Sequence, residues 1–276
     1  MPRRRFPILS GVVLVGLIAA AAVLAPWIAP EPNRGDLGAV LSPPSTAHWL
    51  GTDGLGRDVA ARLIHGARVS LVIGLTTGLL SVLIGLPIGA MAGYAGGAVD
   101  ATLSRLIEAA LCFPGLVLAI ALLSIGPSWL TGLPETGRIA CALSLIGWTS
   151  AARYLRGEFR RLRTSEAISS ARAAGAGHVR LIVRHLLPQS LGPVLVTLAF
   201  GIGAAALAEA TLSFVGVGIS PPTASWGELL YEAMSQLGHA WWLAFFPGAA
   251  LFVLVLGCNE LAEGLRSRLD PRRRAT

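Results

Sequence analysis

Long apolar stretches dominate the chain and are separated by short polar segments that carry most of its charge. Stretches with at most one acidic or basic residue cover residues 6–30, 69–99, 109–134, 139–152, 191–219 and 233–259. A helix needs about 20 apolar residues to cross the hydrocarbon core of a bilayer, and all but the fourth stretch reach that length. The fourth reaches it as well if Arg138 and Arg153 extend their side chains to the two interfaces. The pattern therefore predicts an all-α polytopic membrane protein with six transmembrane helices.

The predicted spans also divide the chain into regions. These are an N-terminal anchor helix (1–30), an external loop (31–68), a transmembrane domain (69–264) that contains an inner loop (156–190), and a basic tail (265–276). All 22 basic residues are arginine, and most of them lie in the N-terminus, the inner loop and the tail. Because cytoplasmic segments of membrane proteins are enriched in arginine and lysine, both termini are expected in the cytoplasm.

Composition agrees with a membrane protein and excludes several kinds of chemistry. Hydrophobic residues make up 54% of the chain and charged residues 13%, about half the share of a soluble domain. The formal net charge of +7 therefore indicates a membrane face rather than a nucleic-acid partner. The absence of lysine excludes a phosphate-binding loop ending in Gly-Lys-Ser/Thr, and with it an ordinary ATP site. The three cysteines lack paired spacing and the five histidines form no ligand cluster, so neither a disulfide framework nor a metal site is predicted.

One acidic residue, Glu209, lies deep inside a predicted span. A charged side chain at the centre of a bilayer costs about 2.5–3.5 kcal/mol on insertion scales, so this carboxyl must face protein or water, or hold a proton. Two interpretations are open. Either Glu209 lines a translocation path, with Ser213 one turn later, or it makes a polar packing contact within the helix bundle.

Glycines recur every four residues in the second predicted span, at Gly85, Gly89, Gly93 and Gly97. On a helix this spacing produces a smooth ridge that lets a second helix approach closely. The ridge indicates either helix packing within the chain or a flexible gate helix at a seam between subunits.

The inner loop contains a predicted helical hairpin outside the membrane, from Thr164 to Pro188. Thr164 and Ser165 can cap its first helix. The apolar face of that helix is formed by Ala167, Ile168, Ala171 and Ala174. Gly175 and Gly177 end the helix, and a second helical stretch runs to the proline. The smooth face fits a groove on another protein, and a hairpin lying on the membrane surface is the alternative.

A series of motifs in a fixed order gives the chain a resemblance to a known family. The motifs are HWLGTDGLGRD (48–58), AGYAGG (92–97) with Asp100, Phe113-Pro114, residues 208–214, 221–227 and 246–248, and LDPR (269–272). Through them the chain resembles the inner-membrane permease subunits of ABC importers in the peptide, opine and nickel uptake class. The inner loop resembles the EAA loop of these permeases, since Gly175 and Leu187-Pro188 match it. Ser169 and Ser170 replace the glutamate and the first alanine of that loop.

The resemblance implies a type I ABC importer permease fold, an inner-membrane location and a non-catalytic part in solute uptake. The implied partners are a second, usually non-identical permease, two cytoplasmic ATPases that hold ATP and Mg²⁺ in place of this chain, an external binding protein, and the bilayer. The residues implied in ATPase coupling are Glu166, Ile168, Ser169, Ala171, Ala174, Gly175, Leu187 and Pro188. Those implied in binding-protein contact are Thr52, Asp53, Arg57, Asp58, Pro221 and Trp226. The implied cargo is a peptide, an opine, nickel or a nickel chelate.

Two other classes of membrane protein fit the sequence less well. A stand-alone secondary transporter often shows two related halves with matching broken helices, and no such halves are evident. An intramembrane enzyme needs a nucleophile–base pair or metal ligands at membrane depth, and the sequence contains no G-x-S-x-G or H-E-x-x-H pattern.

Overall fold

The computed structural model describes residues 6–269, most of which are helical, with no β-strand in this range. The helices are α1 (Phe6–Ile28), α2 (Val59–Ala95), α3 (Gly97–Leu111), α4 (Gly115–Ile125), α5 (Ser128–Thr131), α6 (Glu135–Arg163), α7 (Glu166–Ala173), α8 (His178–Leu181), α9 (Leu187–Phe214), α10 (Trp226–Met234) and α11 (Trp242–Leu269). A 3₁₀ turn at Leu37–Ala39 precedes α2, and a π-helical turn at Ile182–Leu186 joins α8 to α9. The predicted all-α architecture is confirmed for the described residues.

Four helical segments are long and apolar enough to cross a membrane: Ile8–Ile28, Val59–Ala95, His178–Phe214 and Trp242–Arg268. α3 and α4 are bent by 76° where they meet, and they supply a fifth span if they cross as one broken helix. α6 has 29 residues, but its many charged side chains keep its hydropathy low. The chain is a multi-pass membrane protein with four or five such spans, and the span predicted at 139–152, within α6, stays a prediction.

One predicted span in the first half of the chain is wrong, and one predicted region boundary falls within a helix. The stretch 109–134 is not one span, because the chain bends between α3 and α4 at Pro114. Proline lacks a backbone N–H and disfavours helical backbone in the residue before it. α2 already begins inside the predicted external loop, since the Asp58 side chain accepts from the Ala61 N–H at 2.9 Å and caps the helix, and the end of the external region at residue 68 stays a prediction.

Two boundaries in the second half also differ from prediction. α9 ends at Phe214, short of the predicted end at residue 219, and α11 begins at Trp242 rather than at residue 233. α11 runs to Leu269, so the predicted tail 265–276 starts as helix. Residues 270–276 of the tail, like residues 1–5 of the predicted anchor, lie outside the described residues.

α2 and α6 pack along the glycine ridge. A Cβ atom added at Gly85 would lie 2.8 Å from the Ala151 Cβ, and one added at Gly89 would lie 2.5 Å from the Ala152 carbonyl oxygen. A side chain at either position would push the two helices apart. Packing within the chain is therefore confirmed for this ridge, whereas Gly97 falls outside it as the first residue of α3.

α2 and α9 form the centre of the bundle, with α6 against both and α1 against α11. α10 packs across α9 and α11 and also contacts α2. The external loop meets the first turn of α2, whereas α7 and α8 lie near its last turn. The long helix α2 thus separates two polar regions, which together with a cleft between them make up the candidate site.

Candidate functional site

The predicted helical hairpin forms, and residues 166–186 are here called the inner hairpin. After α7 the chain turns at Gly175, whose φ of +83° is rarely adopted by residues with a Cβ. The Gly175 N–H donates to the Arg172 carbonyl and the Ala176 N–H donates to the Ala171 carbonyl, each at 3.0 Å. The glycine therefore reverses the chain between α7 and α8, as the sequence predicts.

One residue of α7 anchors the inner hairpin to the bundle. Ile168 is fully buried in an apolar cluster with Phe159, Leu162, Leu181 and Leu186. The other side of α7 is exposed and carries small or polar side chains, namely Glu166, Ala167, Ser169, Ser170 and Ala173. The single apolar face predicted for this helix is wrong, since Ile168 and Ala171 pack on the bundle and Ala174 faces solvent.

The remaining predicted coupling residues flank the inner hairpin. Leu187 begins α9 and packs against the apolar cluster around Ile168. Pro188 is exposed in the first turn of α9, directly after the π-helical turn. Ser165 occupies the N-cap position of α7, but its hydroxyl makes no capping hydrogen bond. The part of these residues in ATPase coupling stays a prediction.

A cleft of about 420 Å³ lies between α2, α4, α6 and α9. Its wall is apolar apart from the hydroxyl groups of Thr77, Ser81, Ser150, Tyr154 and Thr197. None of the residues that line the cleft carries a charge. Its volume falls in the range of about 300–1,000 Å³ that small-molecule sites occupy. The cleft can therefore hold a small solute, which it would contact through apolar surface and hydroxyl groups.

Glu209 lies outside the lining of this cleft and is fully buried. Its carboxylate accepts hydrogen bonds from the hydroxyls of Ser70 at 3.2 Å and of Ser213 and Ser225 at 2.9 Å. The three serines belong to α2, α9 and the segment before α10, so this one carboxyl joins three parts of the chain. Polar packing, one of the two interpretations, describes this conformation. A role for Glu209 and Ser213 in translocation stays a prediction.

Five charged side chains, four of them buried and one half-buried, form the outer charge cluster where the external loop meets α2 and α10. They are Asp53, Arg57, Arg62, Glu228 and Glu232. The fully buried Arg62 donates to both Glu228 carboxylate oxygens at 2.9 and 2.7 Å, to Asp53 at 2.5 Å, and also to Glu232. Arg57 donates to Asp53 at 2.7 Å and to Glu232 at 2.5 Å. The cluster binds the loop, α2 and α10 into one unit.

The HWLGTDGLGRD motif supplies the backbone for this cluster. The Asp53 carboxylate accepts from the N–H groups of Leu55 at 2.8 Å and Arg57 at 2.9 Å, which closes a tight turn. Gly56 has a φ of +70°, and a Cβ atom there would collide with the Asp36 carbonyl group. Glycine is therefore required at this position, both for its φ and for the close approach of the two segments.

Most residues predicted to contact a binding protein lie inside this unit. Four of the six are buried: Thr52, Asp53, Arg57 and Trp226. The Trp226 indole N–H donates to the Leu63 carbonyl at 2.9 Å, which attaches α10 to α2. These four side chains support the outer surface from beneath, and contact of a binding protein with them stays a prediction. Asp58 is half-buried and Pro221 is exposed, and contact through these two stays a prediction.

Residues 85–275 match a protein family described as the inner membrane component of binding-protein-dependent transport systems. The match covers well over half of the chain. The chain belongs to this family. It is thus a permease subunit of a binding-protein-dependent importer, a non-catalytic membrane component, as the motifs predict.

Relatives of this permease match it over nearly its whole length. It is 42% identical to a putative peptide transport system permease protein of Brucella suis, over 99% of this chain and 89% of the relative. It is 36% identical to the dipeptide transport system permease protein DppC of Bacillus subtilis, over 96% and 82% of the two chains. A chain of the methionine ABC transporter MetNI in an inward facing conformation is 18% identical, with a TM-score of 0.60 over 78% of this chain and 95% of that one. This last likeness concerns the fold alone and supports the predicted permease fold.

Two sets of residues in this permease were not predicted from its sequence. Glu228 and Glu232 are four residues apart, which places both carboxylates on one face of α10. Their spacing was the available signal, but nothing near them in sequence indicates Arg62 as their partner. Tyr94 and His178 were also missed, although the Tyr94 hydroxyl lies 2.7 Å from the His178 Nδ1 atom.

The outer charge cluster has more carboxylates than guanidinium groups, and this imbalance favours a bound proton. Burial raises the pKa of Glu228 to about 8, since the opposing charge of Arg62 is partly offset by Glu232. Burial also acts to raise the pKa of Glu232, but hydrogen bonds and charge from Arg62 outweigh it, so that pKa is lowered. Glu228 therefore holds the proton near neutral pH and shares it with Glu232.

This proton makes the stability of the permease depend on pH. Between the ordinary carboxyl pKa of 4.5 and about 8, the folded chain binds a proton that the unfolded chain has released. The free energy of unfolding should therefore fall as pH rises through this window, by up to about 1.4 kcal/mol per pH unit. Glu232 titrates below the window because its pKa is lowered. The melting temperature in detergent, recorded from about pH 6 to about pH 9, measures the decline.

The matched variant for this measurement is Glu228→Gln, which is neutral at every pH. It should melt at a temperature that changes little between about pH 6 and about pH 8. An equally steep decline in the variant would assign the titration to another group.

Proposed function

We propose that this permease forms half of the membrane pathway of an ATP-driven importer of short peptides, and that two cytoplasmic ATPases drive it through the exposed side of α7. The observation that carries the proposal is the position of the inner hairpin. Ile168 anchors it in the apolar cluster, while the opposite side of the same helix is open to solvent. A helix held in this way can move with a docked partner and carry the bundle with it.

The exposed side of α7 is suited to docking by shape. Ser169, Ser170 and Ala173 are small and exposed, so a groove on a partner can approach the helix backbone closely. Ser169 and Ser170 stand where EAA loops carry glutamate and alanine. Docking on this permease therefore relies on close packing and on Glu166 at the helix start, rather than on a central glutamate.

The energy for uptake comes from the partners in this proposal. The chain contains no lysine for a phosphate-binding loop, so ATP and Mg²⁺ are held by the ATPases. ATP binding shifts the permease between conformations only if the ATPases contact the inner hairpin differently in the two states. A stand-alone secondary transporter is not favoured, because the family is defined by its dependence on a binding protein.

Short peptides are favoured over the other cargoes of the class. The Brucella and Bacillus relatives are described as peptide and dipeptide permeases. The cleft offers hydroxyl groups that can pair with peptide N–H and C=O groups, and an apolar wall that tolerates varied side chains. A bare nickel ion would need imidazole or carboxylate ligands, and neither kind of group lines the cleft. The choice of a peptide over an opine rests on the relatives.

The proposed orientation places both termini in the cytoplasm and α6 across the membrane as the sixth span. The arginines of the inner loop then face the cytoplasm, as the distribution of positive charge requires. The binding protein docks on the opposite side, against Asp58, Pro221 and a pocket of about 680 Å³ beside the outer charge cluster. A second, non-identical permease completes the pathway.

Reconstitution in proteoliposomes tests the proposed function. The permease is combined with its companion permease, two ATPases and the binding protein, and uptake of a labelled dipeptide is measured. Uptake is expected only when all components and ATP are present, and omitting the ATPases should reduce it to background. Uptake by this chain alone, without ATP, would contradict the proposal and favour a secondary transporter. A radioactive nickel salt serves as the matched cargo and should not be taken up.

A further inference from the structure

We propose that Tyr94 and His178 form the joint through which the inner hairpin moves α2, so that both are positioning residues for transport. The inference rests on the proposed function, because it assigns a route to the movement that ATPase docking imposes on the hairpin. Tyr94 lies in the last turn of α2, and His178 is the first residue of α8, just beyond the hairpin turn.

The contact between the two side chains is directional. The Tyr94 hydroxyl lies 2.7 Å from the His178 Nδ1 atom, within hydrogen-bonding distance. The two rings meet edge to face, with centroids 5.8 Å apart and planes at 77°. A hydrogen bond and an edge-to-face contact each depend on orientation. Together they fix the angle of the hairpin relative to the end of α2.

The apolar contacts beneath this pair do not fix that angle. Leu86, Ala90 and Tyr94 lie on one face of α2 and pack against the cluster that contains Ile168. The hydrophobic effect is non-directional, so these surfaces resist separation but oppose sliding only weakly. Without the polar contact, the hairpin can move with its ATPase while α2 lags behind.

The end of α2 is also fixed to α6. Arg163, the last residue of α6, donates to the Tyr94 carbonyl at 3.0 Å. Asp100 of α3 accepts a hydrogen bond from the Arg156 side chain of α6 at 2.9 Å, so α3 is also attached to α6. A displacement of His178 is therefore passed to a junction of three helices rather than to one free end.

From this junction α2 runs to the outer charge cluster, with Pro87 inside the helix about two turns from Tyr94. The helix has 37 residues and is thus about 55 Å long. Its first turn carries Arg62, which bonds to Asp53 and Glu228. Gly85 and Gly89 pack α2 against α6 on both sides of Pro87, so a displacement at Tyr94 is carried past the proline by the α2–α6 pair to the outer surface, where the binding protein releases its cargo.

A double-mutant cycle on the complete reconstituted importer tests this joint. Tyr94→Phe and His178→Phe each remove the hydrogen bond and keep an aromatic ring in place. Each single variant is expected to lower dipeptide uptake per ATP hydrolysed by about two- to tenfold. The double variant should be no worse than either single variant, because all three lack the same bond. ATPase binding to the permease pair should be unchanged, which separates a loss of transmission from a loss of docking.

His239→Phe is the matched control, since it makes the same chemical change at an exposed histidine between α10 and α11. It should leave uptake per ATP unchanged. If both single variants transport like the wild type, or if their losses multiply in the double variant, the proposed coupling role of the Tyr94–His178 contact is refuted. The proposed function is not affected by either result. If the wild-type assembly hydrolyses ATP but takes up no dipeptide, the proposed function fails and the joint fails with it.

Discussion

Replacing Arg62 with methionine is expected to lower the free energy of unfolding by about 3–5 kcal/mol, enough to deplete the folded protein from the membrane. Arg62 is fully buried and bonds to three carboxylates, on Asp53, Glu228 and Glu232. Methionine keeps much of the side-chain length but leaves these carboxylates with Arg57 as their remaining partner in the cluster. The yield of folded permease in detergent and its melting temperature measure the effect.

A second substitution separates charge from packing in this experiment. Adding Glu232→Gln to the Arg62→Met background removes one carboxylate that has lost its Arg62 partner, and should recover part of the lost stability. Arg34→Met is the matched control, because Arg34 is exposed in the external loop, and it should change stability by less than about 0.5 kcal/mol. Equal stability of the Arg62 and Arg34 variants would show that the cluster contributes nothing to the fold.

Replacing Ala173 with tryptophan is expected to reduce ATP-dependent uptake by more than about tenfold while the chain still inserts and folds. Ala173 is exposed on α7, away from the anchored side that holds Ile168. The indole projects from the docking side and keeps a partner groove from reaching the helix, and each 1.4 kcal/mol of lost binding energy is about a tenfold loss in affinity. Co-purification of the ATPases with the permease measures docking, and dipeptide uptake measures its consequence.

Gly238→Trp is the control for this experiment, since Gly238 is exposed and a Cβ added there meets no neighbouring atom. That variant should bind the ATPases and transport normally. Normal ATPase binding and uptake by the Ala173 variant would place the docking surface on another part of the inner side.

Much of the helical architecture could be predicted from the sequence because apolar runs and turn residues act locally. The inner hairpin and its glycine turn follow from residues within a few positions of Gly175. The sequence favours a short helix at 59–69, but its continuity with the following span and the burial of Arg62 could not be found in this way, because Arg62 looks like an exposed residue until its distant partners are known. The break at Pro114 was overlooked because the apolar run continues on both sides of it.

The candidate site was harder to predict because its contacts join distant parts of the chain. Glu209 and Ser213 are four residues apart, so their hydrogen bond is compatible with a helix in the sequence alone. Ser70 lies 139 residues from Glu209, and no local pattern connects the two. Trp226 was expected on the surface. Its buried position depends on the bond to the Leu63 carbonyl, which joins residues 163 positions apart and has no local signal in the sequence. A single sequence shows which side chains are unusual and leaves their long-range partners open.

The outer charge cluster joins segments that leave the ribosome at different times. Arg62 is synthesised early, whereas Glu228 follows 166 residues later. At about 5–20 residues per second, the arginine waits roughly 8–33 seconds before this partner exists. Until then the external face of the nascent permease cannot close, so its closure waits for α10 and precedes the completion of α11.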